Sequence, residues 1–384
     1  MYDEENKMEH QVLHPRKDIL GILCLVITSM ILVVGLWPFN FWPKNKVEWL
    51  KGENGVHFYG QGIIFSKQII SNPKRPLFLE RPISIEIWFQ PDSEPHSGLP
   101  RIFSLYDGKE SEMYFLAQWK STLILRTKTL QPNARWFYTG GGVGNALPKG
   151  QRRFITITVE EKGTSIYIDG RLEQVLPYYS FVPKNAATIN QIVLGNSPEG
   201  KNYWVGIIYG FAIYNRSLPA ERVFRNFQIW TNGNLLSPLQ EDNPMAFYSF
   251  TERYGTNIHD QINHFTLSLP SKFDVPQKHI LVTPWKDFRL TFSYFKDIIL
   301  NILGFIPFGF LFSAYLHNKK IIFCRKLPII VLLLGGSLSL SIEILQVYLP
   351  SRSSQLMDFF SNFSGIALGL VLFNFYHLGG RPLK

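Results

Sequence analysis

Residues 19–37 read ILGILCLVITSMILVVGLW. The run holds 19 residues and no charge. At about 1.5 Å per residue a helix of this length crosses the ~30 Å hydrocarbon core of a bilayer. A cleaved leader would have a shorter apolar stretch and a small-residue cleavage site after it. Here Trp37-Pro38-Phe39-Asn40-Phe41-Trp42 follows, an aromatic belt of the kind that anchors a retained helix at the interface. The chain is therefore read as beginning with a membrane span.

Outward from this run, three more apolar stretches lie at the other end of the chain, at 298–316, 327–349 and 359–376. Short polar joints at 317–326 and 350–357 separate them, so they pack as antiparallel neighbours of the first span. Pro307, between Gly304 and Gly309, is expected to kink its helix, with neighbouring helices re-satisfying the freed carbonyl. The joint at 317–326 carries Lys319, Lys320, Arg325 and Lys326, whereas the joint at 350–357 carries only Arg352. Short basic loops stay inside. Both termini are then cytoplasmic, with residues 1–17 as a cytoplasmic segment, and the long insert lies outside the cell (inner) membrane. Lys44, Lys46, Lys286, Arg289 and Lys296 flank the insert and oppose this orientation.

Between the spans, from about 47 to 285, the pattern changes period. Ile83-Ser84-Ile85-Glu86-Ile87 alternates, as do residues 154–159 and 165–169. Alternation at period two marks half-buried antiparallel strands. Asp107-Gly108, Lys162-Gly163 and Asp169-Gly170 supply turns between them. Strands at this spacing without interleaved helices predict a two-sheet sandwich, with one helical patch at 219–230 set on an edge. The fold class is mixed: a four-helix transmembrane bundle with an inserted all-β jelly-roll sandwich at 46–285.

Composition agrees. Charged residues are only 18% and hydrophobic ones 46%, which excludes a disordered chain. Two cysteines exclude a disulfide-stapled scaffold and a cysteine-rich zinc module. Lys plus Arg is 39 against 29 Asp plus Glu, a net charge of +10. The surplus is read as charge flanking membrane spans, and no nucleic-acid partner is expected.

Two resemblances rest on particular residues. PISIEIWFQPD (82–92), RRFITITVEEKGTSIYIDGRLEQ (152–174) and INQIVLGNSPEGKNYWVGIIYGFAIYNRSLPAERV (189–223) resemble the concanavalin A-like, laminin-G-like jelly roll. Such modules often begin with a pattern like that of 246–255 followed by His259-Asp260. Here it comes last, as if the module were circularly permuted, which a fold with neighbouring ends tolerates. The flanks resemble the VanZ-like membrane family. The matching residues are LWPFNF (36–41), then Asp297, Asn301, Gly304, Pro307 and Gly309, then Ser341, Glu343 and Gln346, and finally Arg352, Asp358, Asn362, Gly365 and Gly369. That resemblance covers 18–45 and 290–378. It implies a link to low-level resistance to teicoplanin, a glycopeptide acting at the outer membrane surface, and supplies no biochemical activity.

Helical spacing places the polar residues of the bundle on single faces. Asp297, Asn301 and Gly304 form one, Ser339, Glu343 and Gln346 a second, and Asp358, Asn362, Gly365 and Gly369 a third. Ionisable groups within a membrane face the bundle interior or a wet cavity. The candidate site is therefore Asp297, Asn301, Glu343, Gln346, Arg352, Asp358 and Asn362. Structural readings compete. Asp297 and Asp358 are expected to begin helices and cap them. Asn301 and Asn362 serve equally as interhelical hydrogen-bond donors, and Gly365 and Gly369 as close-packing positions. Glu343 sits toward a helix C-terminus, where the dipole opposes a carboxylate, so a functional role or pairing with Arg352 is expected.

Catalytic signatures are absent: no HExxH, no GxSxG, no GxxxxGK[ST]. The run Gly140-Gly141-Gly142-Val143-Gly144 is read as a loop. Glycosidases on a jelly roll use two strand carboxylates, but the position two after Glu86 is Trp88. The histidines show no ligand spacing, and His259-Asp260 is at most the border of a calcium site. No cofactor and no metal are expected. Trp119, Trp136, Trp204 and Tyr138 offer stacking faces for sugar or belong to the core. Two functions remain. One is a non-enzymatic envelope protein whose module binds glycan or protein outside while the bundle engages membrane lipid or a lipid-linked partner such as a peptidoglycan precursor. The other is a membrane enzyme or transporter in which bundle carboxylates act on a lipid-linked head group. Convergence of the three polar faces on one open cavity would favour the second.

Overall fold

The computed structural model describes residues 14–66, 82–108, 112–128, 138–181, 191–233, 243–263, 265–287, 291–319 and 326–379. The chain divides into two compact units, Trp42–Lys278 and the combination of Met1–Phe41 with His279–Lys384.

The unit at 42–278 is a sandwich of two eight-stranded antiparallel sheets. One sheet runs β1 (Val47–Trp49), β2 (Val56–Phe58), β13 (Gly206–Tyr214), β4 (Ile83–Pro91), β9 (Arg153–Glu160), β10 (Gly163–Ile168), β11 (Arg171–Pro177), with β14 (Ala246–Tyr248) also on β13. The other runs β15 (Asn257–His259), β16 (Thr266–Ser268), β3 (Ile64–Ser66), β12 (Gln191–Leu194), β5 (Arg101–Tyr106), β6 (Glu112–Trp119), β7 (Thr122–Lys128), β8 (Tyr138–Val143). The alternating isoleucines do what their period demands. Ile85 lies opposite Ile157 and Ile87 opposite Ile155 across β4 and β9. All four are buried with Phe103 and Leu105 of the facing sheet, and each such side chain contributes about 1.5–3 kcal/mol by leaving water.

The late strands enter both sheets. β14 pairs with the end of β13, where the rings of Phe211 and Tyr248 stack 4.6 Å apart. β16 pairs with β3. The pattern that comes last in sequence is thus integral to the sandwich.

Two expectations are corrected. The helical patch forms α2 (Ala220–Thr231), after α1 (His14–Leu36), but it lies on a sheet face and not on an edge. Its Val223 and Trp230 pack with Phe154, Tyr167, Tyr214 and Phe247. The face of β4 that alternation assigned to solvent is therefore sealed, and Ser84 and Glu86 are fully buried. Ser84 Oγ accepts from Leu218 N–H at 3.0 Å and donates to Arg216 C=O at 2.9 Å, fixing the turn into α2. Second, the glycine run is strand β8, paired with β7 from Gly140 opposite Arg126 to Gly142 opposite Ile124. A Cβ on Gly140 or Gly142 would run into the carbonyl of Leu125 or Leu123, so the glycines permit close strand approach. Asp260 accepts backbone N–H groups of Phe247, Ile262 and Asn263 at 2.8, 3.1 and 2.9 Å. It ties β14 to the following turn.

The other unit holds α1, the short α3 (Pro284–Asp287), α4 (Phe292–Asn318), α5 (Leu327–Gln346) and α6 (Leu356–Gly379). Four of these, α1, α4, α5 and α6, are long and apolar enough to cross a membrane. Pro307 lies inside an α4 that continues through it. The glycines act as close-packing positions. A Cβ on Gly309 would strike the carbonyl of Ile366, and one on Gly365 or Gly369 the carbonyls of Ile302 or Ile306, so α4 and α6 touch backbone to backbone. Ile31, Phe305, Phe308, Val331, Ile342, Ile366 and Phe373 form the bundle core. In the basic joint, residues 320–325 lie outside the described residues, as do 1–13.

Candidate functional site

All seven candidate residues line one cavity of about 630 Å³ in the bundle. It lies at the end where α1 and α5 finish and α4 and α6 begin. Ile27, Met30, Ile31 and Val34 of α1 form an apolar wall. Asp297, Asn301 and Gly304 come from α4, Glu343 and Gln346 from α5, Asp358 and Asn362 from α6, and Arg352 from the loop between α5 and α6. The three polar faces that helical spacing assigned separately thus meet at one place.

Within the cavity the roles diverge. Glu343 is 1% exposed. Its Oε2 accepts the backbone N–H of Gln355 at 2.8 Å, while Oε1 makes no hydrogen bond among the described residues. The loop that supplies Gln355 is held in place by its pairing with 281–282. Val282 N–H donates to Ser354 C=O and Leu356 N–H to Val282 C=O, at 3.0 and 2.9 Å. Sequence reasoning missed Gln355, because a backbone donor in an irregular loop carries no side-chain signal.

The expected pairing of Glu343 with Arg352 is not formed. Arg352 instead donates from Nε to Trp37 C=O at 3.2 Å and from Nη2 to Val34 C=O at 3.1 Å. Gln346 Nε2 donates to Gly35 C=O at 2.9 Å. Both side chains satisfy carbonyls that the end of α1 leaves without helical partners. A guanidinium placed there also suits the negative end of the helix dipole.

Asn301 Nδ2 donates to Asp358 Oδ1 at 2.9 Å, joining α4 to α6. Asn362 Nδ2 donates to Ser339 Oγ at 3.0 Å, joining α6 to α5, and its buried Oδ1 has no partner. Asp297 is not a helix cap. α4 begins five residues earlier, where Thr291 Oγ1 accepts Tyr294 N–H at 3.4 Å. Asp297 therefore lies more than one turn inside the helix, exposed, with no hydrogen-bond or ion-pair partner among the described residues. Asp358 does sit in the first turn of α6, as its capping reading requires, but its carboxylate is also engaged by Asn301.

In the sandwich the proposed sugar platforms separate. Trp204 is core, 1% exposed, with its indole N–H on Gln118 at 2.7 Å. Trp119 is 39% exposed, and Trp136 lies outside the described residues. Tyr138 covers a polar cluster on the outer side of β5 and β6. There Arg101 pairs with Glu112 at 3.1 Å, Ser104 donates to Glu112 at 2.6 Å, and the Arg101 guanidinium sits 3.5 Å over Phe115. Burial raises the Glu112 carboxyl against the opposing pull of Arg101. Burial, with the nearby Glu112 charge, pushes the Tyr138 hydroxyl up to about 12. Glu86 is enclosed by Tyr214 at 2.7 Å and Asn226 at 3.2 Å beneath α2, out of reach of any glycan. Hollows open among the described residues. One of about 590 Å³ is lined by Asn145, Arg171, Glu173 and Phe224 among others, and one of about 380 Å³ by His96, Lys201, Asn202 and Tyr203 among others. Among the described residues no three His, Cys, Asp or Glu gather as a metal-sized set.

Comparison with known proteins matches two families over parts of the chain. The VanZ/LLP1 family matches residues 204–377, which takes in α4 to α6 and the late strands; α1 precedes the matched stretch. The concanavalin A-like lectin/glucanase superfamily matches residues 66–224. Among solved structures, the receptor-binding domain of botulinum neurotoxin D is 14% identical with a TM-score of 0.36, over 51% of this chain and 52% of that one. The receptor-binding domain of the botulinum neurotoxin C/D mosaic serotype is 15% identical with a TM-score of 0.38, over 48% and 45%. The chain thus spans about half the length of the neurotoxin domains it matches. The CBM40 module of Ruminococcus gnavus IT-sialidase, bound to α2,3-sialyllactose, is 13% identical with a TM-score of 0.35, over 46% of this chain and 97% of that one. No curated protein matches the chain. The chain is a multi-pass membrane protein that joins a VanZ-like region to a concanavalin A-like, laminin-G-like sandwich.

Proposed function

We propose that the protein is an envelope protein whose bundle cavity holds the head group of a lipid or lipid-linked ligand. Its sandwich, on the outer side of the cell membrane, binds glycan or an envelope protein. The organisation is 1–17 cytoplasmic, 18–45 the first VanZ-like span, 46–285 the outer module and 290–378 the remaining VanZ-like region, with both termini inside. The observation that carries the reading is the apolar wall of α1 on a cavity whose Asn301, Gln346, Arg352, Asp358 and Asn362 are spent on hydrogen bonds between helices and to the end of α1. Polar groups at membrane depth are expensive unless they face a cavity with work to do, and an apolar wall beside them fits an amphiphile.

A second reading, an enzyme or transporter acting on such a head group, draws on the convergence of Asp297, Asn301, Glu343, Gln346, Arg352, Asp358 and Asn362 on one cavity and on Glu343, a buried carboxylate with one oxygen held by Gln355 and the other uncommitted. A general acid or base needs that kind of placement.

The test is a photoactivatable lipid-linked probe applied to the reconstituted protein, with the label mapped by mass spectrometry. Labels at 297–307 and 342–362 support the cavity. Labels spread over the outward faces of the helices overturn it. Protease added to right-side-out cells should digest the module at 46–285, and its protection would reverse the orientation.

A further inference from the structure

The cavity holds buried acceptors that its own donors leave uncommitted, and they name the chemistry of its ligand. The side-chain amides of Asn301, Asn362 and Gln346 and the backbone N–H of Gln355 are already committed, and the loop after α5 adds Ser351, Arg352 and Ser353 to the lining. On the acceptor side, Asp297 has no partner among the described residues, and Glu343 keeps Oε1 uncommitted. Asn362, only 5% exposed, keeps its Oδ1 buried and unpartnered. A buried acceptor without a donor is costly, so a group bearing N–H or O–H would complete the site.

Charge points the same way. Three carboxylates, Asp297, Glu343 and Asp358, line the cavity with a single guanidinium, Arg352. Arg352 is exposed, and two of its nitrogens are tied to the end of α1. A positive group is favoured in such surroundings and an anion is not. The acids do not gather closely enough to clamp one metal ion. The positive charge is therefore expected on a larger group that reaches several acceptors at once.

We propose that the bundle cavity takes a primary ammonium head group carried by a phospholipid. The ammonium meets Glu343, Asn362 and Asp297, the phosphate lies toward Arg352, and the chains follow the apolar wall of Ile27, Met30, Ile31 and Val34. A primary ammonium has three N–H donors for those acceptors. A quaternary ammonium carries the charge but no donor, and is selected against. This assignment rests on the head-group reading of the cavity and narrows it.

The experiment uses the full chain purified in detergent and titrated with phosphatidylethanolamine, phosphatidylcholine, phosphatidylglycerol and a neutral glucosyl diacylglycerol, with lipid retention read by native mass spectrometry. Phosphatidylethanolamine should bind about tenfold more tightly than the choline and glycerol lipids. Glu343→Gln should erase that preference. Asp297→Asn, which breaks no native hydrogen bond, should weaken it severalfold with the fold intact. Equal binding of the ethanolamine and choline lipids, tighter binding of phosphatidylglycerol, or a preference unchanged in both variants overturns the proposal. A preference for the neutral glycolipid that Glu343→Gln removes would overturn the ammonium while leaving the head-group reading in place. Failure of all four lipids to bind would sink both.

Discussion

Removing the Asp260 carboxylate tests whether the late strands are held as the sandwich requires. Asp260 is 2% exposed and accepts three backbone N–H groups, from Phe247 in β14 and from Ile262 and Asn263 in the following turn. A hydrogen bond to a charged group is worth about 1.5–3 kcal/mol, and a buried N–H left without an acceptor loses a similar amount. Water reaches the turn amides more readily than that of Phe247, which recovers part of the loss. Asp260→Ala should then cost about 3–6 kcal/mol. Asp260→Asn retains one acceptor oxygen for two of the three amides and turns an NH₂ toward the third, a loss of about 1–3 kcal/mol. The assay is urea unfolding of residues 42–278, followed by tryptophan fluorescence, since Trp204 and Trp230 are buried. With a slope of about 2–3 kcal/mol per molar urea, the midpoint of the alanine variant should fall by roughly 1–3 M. An unchanged midpoint would refute the account. So would a wild-type midpoint that millimolar calcium raises and the alanine variant does not share, because that would make Asp260 a cation ligand.

Three further outcomes are expected. Gly369→Ala should lower the thermal stability of the full protein in detergent by about 1–3 kcal/mol, because its Cβ meets backbone atoms of α4, whereas Gly304→Ala, whose Cβ meets nothing within 4 Å, should be nearly neutral; equal effects would contradict the packing of α4 on α6. The Tyr138 hydroxyl, raised to about 12 by burial and the Glu112 charge, titrates above its unfolded value of about 10. Its share of stability is present below pH 10 and lost as pH rises toward 12; Tyr138→Phe should flatten that alkaline limb, and an identical limb in both proteins would count against it. A module truncated after Trp230 should aggregate while residues 46–285 stay monomeric, because removing β14 and β16 uncovers strand edges; light scattering that finds both monomeric would refute the role of the late strands.

Local periodicity was enough for the architecture. A run of 19 uncharged apolar residues at 19–37 and alternation at 83–87 and 154–159 report, within a few residues, which solvent each side chain seeks. Membrane-length helices and paired strands stand where those periods occur. The polar faces of α4, α5 and α6 were legible for the same reason, since i, i+4 spacing is a property of one helix. What those faces touch was not. Asn301 meets Asp358 across 57 residues, and Arg352 meets Val34 across 318. Only the packing of α4 on α6 and the return of the loop at 350–356 decide such pairs. The same distinction explains the errors. Alternation placed Ser84 and Glu86 in water because it cannot register that α2 lands on that face. Asp297 looked like a cap because the unbroken apolar run starts at 298, just after the charged pair Lys296-Asp297, while the helix starts at the Thr291 cap with the aromatic turn of Phe292, Tyr294 and Phe295 lying before those charges. Tertiary structure alone assigned Arg352 and Gln346 to the end of α1, left Glu343 and Asn362 with acceptors uncommitted, and gathered all of them around one cavity, because side-chain partners are chosen in space and sequence spacing constrains only those within a turn or two.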